Sequence, residues 1–127
     1  MIRASKRQIA LADQAAEWET LRGGPAIGTL LVAGDFNLAV PYPRYFGSRQ
    51  SVEALDDALQ RHDLVCLTPG NASIEDSPRI DHICIQRSGL KSSRLPLPGD
   101  WAVPLVQEKP ITDHVGVFVD LDLSSSP

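Results

Sequence analysis

Hydrophobic positions follow two patterns that alternate along the chain. In residues 5–22, SKRQIALADQAAEWETLR, Leu11, Ala15, Trp18 and Leu21 recur on one helical face, and the glycines at 23 and 24 supply a stop. This predicts a helix packed on another layer. Thr29 to Ala33 form instead a continuous apolar run bounded by glycines, too short for a helix and apolar on both faces. Such a run predicts a central strand covered on both sides. The next stretch, AVPYPRYFGSRQ, holds two prolines and a glycine and predicts a loop, after which Ser51 is placed to cap a second helix with Val52, Leu55, Ala58 and Leu59 on one face. Three strand-like runs follow, LVCLT, RIDHICIQ and HVGVFVDLDL, with a weaker fourth at WAVPLVQ. The order α, β, α and then mostly β predicts an α+β fold, a mixed and mostly antiparallel sheet with helices on one face.

Composition narrows the setting. A chain of 127 residues, 43% hydrophobic and 22% charged, suits one globular domain spanning 1–127. A formal net charge of −4 argues against coating nucleic acid by bulk electrostatics, while leaving room for a local basic site. No apolar run approaches the roughly 20 residues needed to span a bilayer, and the start MIRASKRQIA lacks the apolar segment of a secretion signal. The expectation is a cytoplasmic protein without a membrane partner. Cys66 and Cys84 each sit inside an apolar run, LVCL and ICI, which predicts buried free thiols, since no CxxC or clustered Cys/His spacing suggests zinc or a disulfide.

Three segments put polar groups at the edge of apolar strands: GDFN (34–37), RIDH (79–82) and TDHVGV (112–117). Burying an acid costs several kcal/mol unless it is paired or ligates a cation, so acids repeated at strand ends imply a shared polar site. Asp35 and Asn37, two apart on an extended chain, point to the same side. Plainer roles compete with these: an Asx-type turn for Asp35 and Asn37, packing or surface for His82, a helix end for His62, and core anchoring for Trp18 and Trp101. Arg44, Tyr45 and Arg49 in the long loop could contact a phosphodiester or simply be solvated.

The ordered set GDFN, RIDH and TDHVGVFV resembles the C-terminal half of the endonuclease/exonuclease/phosphatase superfamily, and the helices before and after GDFN also fall where that family has them. The resemblance implies the two-layer half of a four-layer α/β-β/α sandwich, acting as a metal-dependent phosphoesterase or nuclease-like protein on phosphodiester or phosphomonoester bonds, with nucleic acid among its substrates. It casts Asp35 as the acid that orients or deprotonates the attacking water, Asn37 as an amide holding phosphate and water, and Asp113 as a ligand for Mg²⁺ or Mn²⁺ or an acid just behind the ligands. His114 becomes the imidazole on the scissile phosphate, and Asp81 the acid accepting its other N–H. The family's first half supplies a strand ending in asparagine, the principal metal-binding glutamate and a further histidine. No residue of this chain stands in those positions, which leaves three accounts: a lost N-terminal half, a misassigned start at Met1, or a half-domain used as it stands. A half-domain leaves one apolar sheet face to be covered, by a second copy in a homodimer or by a partner. The alternative from another class is a catalytically silent remnant that serves as a dimerisation or partner-binding module.

Overall fold

The computed structural model describes residues 6–23, 28–36, 38, 49–74, 78–91 and 94–123. Its elements run α1 (Lys6–Gly23), β1 (Leu31–Asp35), α2 (Arg49–Arg61), β2 (Leu64–Cys66), β3 (Asp81–Gln86), a single 3-10 turn (Arg87–Gly89), β4 (Gly99–Trp101), β5 (Leu105–Val106), β6 (Lys109–Pro110) and β7 (Gly116–Phe118). Every strand pairing among the described residues is antiparallel: a three-stranded sheet in the order β1-β3-β2, and two-stranded ladders β4-β7 and β5-β6. The class is α+β.

The helices form where spacing and surface charge agree. Val52, Leu55, Ala58 and Leu59 bury one face of α2, while Arg49–Glu53 and Asp57–Arg61 pair at i,i+4 on its exposed face. The helix starts at Arg49, so Ser51 is a buried first-turn residue rather than the cap. It ends where Asp63 turns left-handed at φ 55° and the His62 N–H reaches back to the carbonyls of Ala58 and Leu59. In α1, Leu11, Ala15 and Trp18 pack inward, but Leu21 is exposed.

The two helices cover one face of the three-stranded sheet. Trp18, Val52, Leu55, Ala58 and Leu59 pack with Val32, Leu64, Cys66 and Cys84. On the other face, Val65, Leu67, Ile83 and Ile85 meet Leu90, Val119 and Leu121, so the chain beyond β7 covers this side of β2 and β3. The expectation of a central strand at residues 29–33 is corrected by this order. β3 is central, and β1 is an edge with Leu31 half-exposed and Ala33 exposed. An apolar run reports the environment of its side chains and says nothing about how many strand neighbours it has.

Trp101 is a second correction. It was expected in the core, but it is half-exposed and lies over Gly116, its cross-strand partner, while Phe118 lies over Gly99 in the same way. A Cβ at either glycine would collide with the facing ring, so each aromatic needs the hydrogen opposite it. The WAVPLVQ run divides between β4 and the β5-β6 hairpin, whose turn places Gln107 and Glu108 both at positive φ.

One buried ion pair joins the sheets. Arg79, just before β3, donates from Nε to Asp100 Oδ1 (2.9 Å) and from Nη2 to Asp100 Oδ2 (2.7 Å), and its Nη1 reaches the Pro69 carbonyl at 2.6 Å. The Ser73 backbone N–H and hydroxyl complete the Asp100 carboxylate at 3.0 and 3.1 Å. Arg79 and Asp100 side chains are 9% and 1% exposed, so the fork replaces most of the water both charges give up. The Arg79 hydrogen bonds, opposed by burial and reinforced by Ser73, hold the Asp100 carboxyl down at about 2 from an ordinary 3.8. A depressed folded-state value means the stabilisation is present above pH 3.8 and is lost as pH falls through about 2. Removing the carboxylate strands a buried guanidinium, so Asp100→Ala is expected to cost about 3 kcal/mol or more at neutral pH by urea denaturation. A cost below about 1 kcal/mol would contradict the clamp.

Candidate active site

The β1-β3 register brings two acids face to face. Asp35 lies directly opposite Asp81. Backbone bonds from Phe36 N–H to Ile80 O (2.9 Å) and from Gln86 N–H to Leu30 O (3.0 Å) mark the hydrogen-bonded positions at every second residue. The Asp35/Asp81 position falls between them, in the class of pair whose Cα atoms approach to about 4.5 Å and whose side chains are closest. Like charges directly opposite destabilise a sheet, so this arrangement calls for a cation or a donor between them. Gly34, immediately before Asp35, has φ +155°, a backbone that side-chain-bearing residues rarely adopt, which accounts for glycine at this point of the strand.

The donor comes from the other ladder. His114 lies two residues before β7, where the Thr112 hydroxyl accepts its backbone N–H at 3.2 Å. Its Nδ1–H donates to Asp81 Oδ2 at 2.6 Å, and its Nε2 stands 3.9 Å from Asp35 Oδ2 and 3.6 Å from Asp113 Oδ1. The hydrogen bond to Asp81 raises the His114 pKa, the negative charges of Asp81, Asp113 and Asp35 add to the rise, and burial opposes it. Asp81 thus fixes both the tautomer and the ring's aim, leaving Nε2 turned toward Asp35.

Of the residues singled out in the sequence, Asp35, Asp81 and His114 come together, and Asp113 borders them with its side chain 95% exposed. Arg49 opens α2 and bonds Glu53 Oε1 at 3.0 Å on the exposed helix surface. Asn37, Arg44 and Tyr45 lie outside the described residues. His62, just past α2, is buried against Trp18, edge to face, with Glu19 Oε2 at 3.1 Å from its Nδ1.

Two supporting sets of contacts escaped the sequence reading. His82 takes the packed position expected of it and is hydrogen-bonded as well. It is buried, its Nε2–H donates to the Leu38 carbonyl at 2.7 Å, and its Nδ1 faces the Thr68 hydroxyl at 3.2 Å while that oxygen accepts the Ile83 N–H at 3.0 Å. It therefore pins the backbone just past GDFN to β3. The other is the Arg79–Asp100 fork, which fixes β4, and through it β7, against the start of β3. An arginine at the head of an apolar strand and an acid between Gly99 and Trp101 were the available signals.

Asp35, Asp81 and His114 each offer one donor atom, all within 4.8 Å of one another, so the cluster could hold a metal ion. Two carboxylates and an imidazole suit Mn²⁺ and similar cations, whereas Mg²⁺ prefers oxygen alone. The chain matches no family model, no curated protein and no solved structure.

A raised His114 pKa means that the stabilisation from its bond to Asp81 is fully present below the ordinary value of 6.5 and is lost as pH rises through the folded-state value. In a proton NMR titration, His114 is expected to titrate above 6.5, and Asp81→Asn to return it toward that value. Identical midpoints in the two proteins would show that the bond does not set the ring's charge.

Proposed function

We propose that Asp35, Asp81 and His114 form the working part of a metal-assisted phosphoesterase of the nuclease-like kind, acting on phosphodiester or phosphomonoester bonds. The observation that carries this reading is the facing pair of carboxylates with one imidazole held between them. The two acids would hold a divalent cation, Mn²⁺ or Mg²⁺, which when bound would offset the charge of the phosphate ester. Asp35, the more open of the two acids, would accept a proton from the attacking water. Asp81 keeps the His114 ring aimed, and the ring's Nε2–H donates to a phosphoryl oxygen as charge develops there. Asp113, exposed beside His114, supplies a further carboxylate at the rim.

The order of GDFN, RIDH and TDHV supports placing this site in the endonuclease/exonuclease/phosphatase pattern, with Asn37 as the amide beside Asp35 and with Arg44, Tyr45 and Arg49 on the substrate side. The two-layer arrangement, helices under a sheet whose far face meets the β7 segment, is compatible with half of that family's sandwich. A second reading, the silent remnant, draws on the exposed Leu31 and Ala33 of the edge strand, which in that case a second copy of the chain would cover. No helix among the described residues is long and apolar enough to cross a membrane.

Hydrolysis of an aryl phosphodiester by the 127-residue chain, with and without Mn²⁺, separates the readings. The phosphoesterase reading expects metal-dependent turnover that falls by roughly 100-fold or more in Asp35→Asn, Asp81→Asn and His114→Gln alike. Turnover unchanged by all three substitutions would refute the site, and absence of both turnover and Mn²⁺ affinity would favour the remnant.

A further inference from the structure

The helix-side face of the sheet holds a second cluster of reactive groups that phosphate-ester chemistry leaves idle. Cys66 and Cys84 are register partners on β2 and β3, both free thiols and both on the face covered by the helices. Bonds from Leu67 N–H to Ile83 O (2.8 Å) and from Arg87 N–H to Asp63 O (3.0 Å) mark the hydrogen-bonded positions of this ladder. Counting inward by twos puts the cysteines at a non-hydrogen-bonded position, where Cα atoms lie about 4.5 Å apart and side chains are closest. That separation falls inside the range of about 4.4–6.8 Å that a disulfide spans without backbone movement. The two apolar runs LVCL and ICI, 18 positions apart in sequence, gave no sign of this pairing because only the register creates it.

The pair is asymmetric. Cys84 is 0% exposed and Cys66 9%, so a small oxidant reaches Cys66 first. The Cys66 sulfur also has polar company, with Thr68 Oγ1 at 3.8 Å and His82 Nδ1 at 3.5 Å. The neighbouring Cys84 thiol lowers the Cys66 pKa, burial opposes this, and His82 assists, while Cys84 is pushed up by the same contact and by burial.

We propose that Cys66 and Cys84 are a reversible redox pair, oxidised by a small peroxide to an intramolecular disulfide that staples β2 to β3 beneath α2. The Cys66 thiolate attacks one oxygen of hydrogen peroxide, the S–O bond forms as the O–O bond breaks, and the departing hydroxide takes up the proton that Cys66 released on ionising, to leave as water. Cys84 sulfur then attacks the resulting sulfenic acid, the S–S bond forms, and the hydroxyl leaves with the Cys84 proton as a second water. One peroxide is reduced by two electrons and two thiols are oxidised to one disulfide.

The test uses the full chain treated with hydrogen peroxide, followed by intact mass and by thiol titration under denaturing conditions. The expected product is a monomer lighter by two hydrogen atoms, with both thiols lost and both restored by dithiothreitol. Its melting temperature should rise by on the order of 10 °C, because the staple closes a loop of moderate length in the unfolded chain. In Cys84→Ser, Cys66 should stop at a sulfenic acid that dimedone captures; in Cys66→Ser, Cys84 should stay reduced. Because the wild-type mass and thiol count decide the matter without either variant, poor folding of a variant does not rescue the idea. Persistence of both thiols at peroxide levels that oxidise a free small thiol would overturn it, as would oxidation to sulfinic acid without a disulfide, or a disulfide formed only between chains.

Discussion

The hydrogen bond from His114 Nδ1 to Asp81, at 2.6 Å, is the contact on which the proposed chemistry depends. Among the described residues, it joins two sheets whose strands are not hydrogen-bonded to each other. Asp81 begins the central strand of the three-stranded sheet, and His114 leads into the strand that pairs with β4. The second polar link between the same pieces, the Arg79–Asp100 fork, starts two residues earlier, on the segment that leads into that strand. On extended chain, residues two apart point to one side, so both links leave the start of β3 and its lead-in on the face opposite the helices. The apolar contacts of Val119 and Leu121 with Val65 and Ile85 bring the pieces together. The directional bonds decide where His114 stops.

That geometry also makes a repulsive arrangement tolerable. Two carboxylates at a non-hydrogen-bonded position of a ladder repel at short range, and a sheet selected only for stability would place a threonine or an opposite charge there. The imidazole between them, held more basic than usual, supplies partial compensation, and a divalent cation would supply more. His82 works on the other side of the same strand, fastening the Leu38 backbone so that the end of β1 keeps its place relative to β3. Polar chemistry thus faces away from the helices at the start of β3, while the strand's other side remains buried under α2 together with the two thiols.

The periodic features were legible in the sequence. The inner face of α2, the inward positions of Trp18, and the strands through LVC and DHICIQ all follow from repeating apolar positions, which sum many weak preferences into one direction. Asp35, Asp81 and His114 were legible because acids at the ends of apolar strands are costly without a purpose. What escaped was set by pairing rather than by period. Sequence alone could not show that β1 is an edge, that Asp35 faces Asp81 and not a neighbour, that Cys66 faces Cys84, or that Trp101 finds its contact over a glycine and stays half-exposed. A one-residue slip in register would undo each of these facing pairs, and the edge position of β1 follows from strand order, which no spacing of residues encodes. Arg79 and Asp100, 21 residues apart, were invisible as partners for the same reason.

The most direct test of the central claim is a titration of the chain with Mn²⁺ followed by the proton NMR signals of its three histidine rings. A cation held by Asp35 and Asp81 lies beside His114, so sub-stoichiometric Mn²⁺ should broaden the His114 ring signals first, leave His62 sharp, and lose this selectivity in Asp35→Asn. Equal broadening of all three rings, or His114 signals that stay sharp at saturating Mn²⁺, would contradict the account.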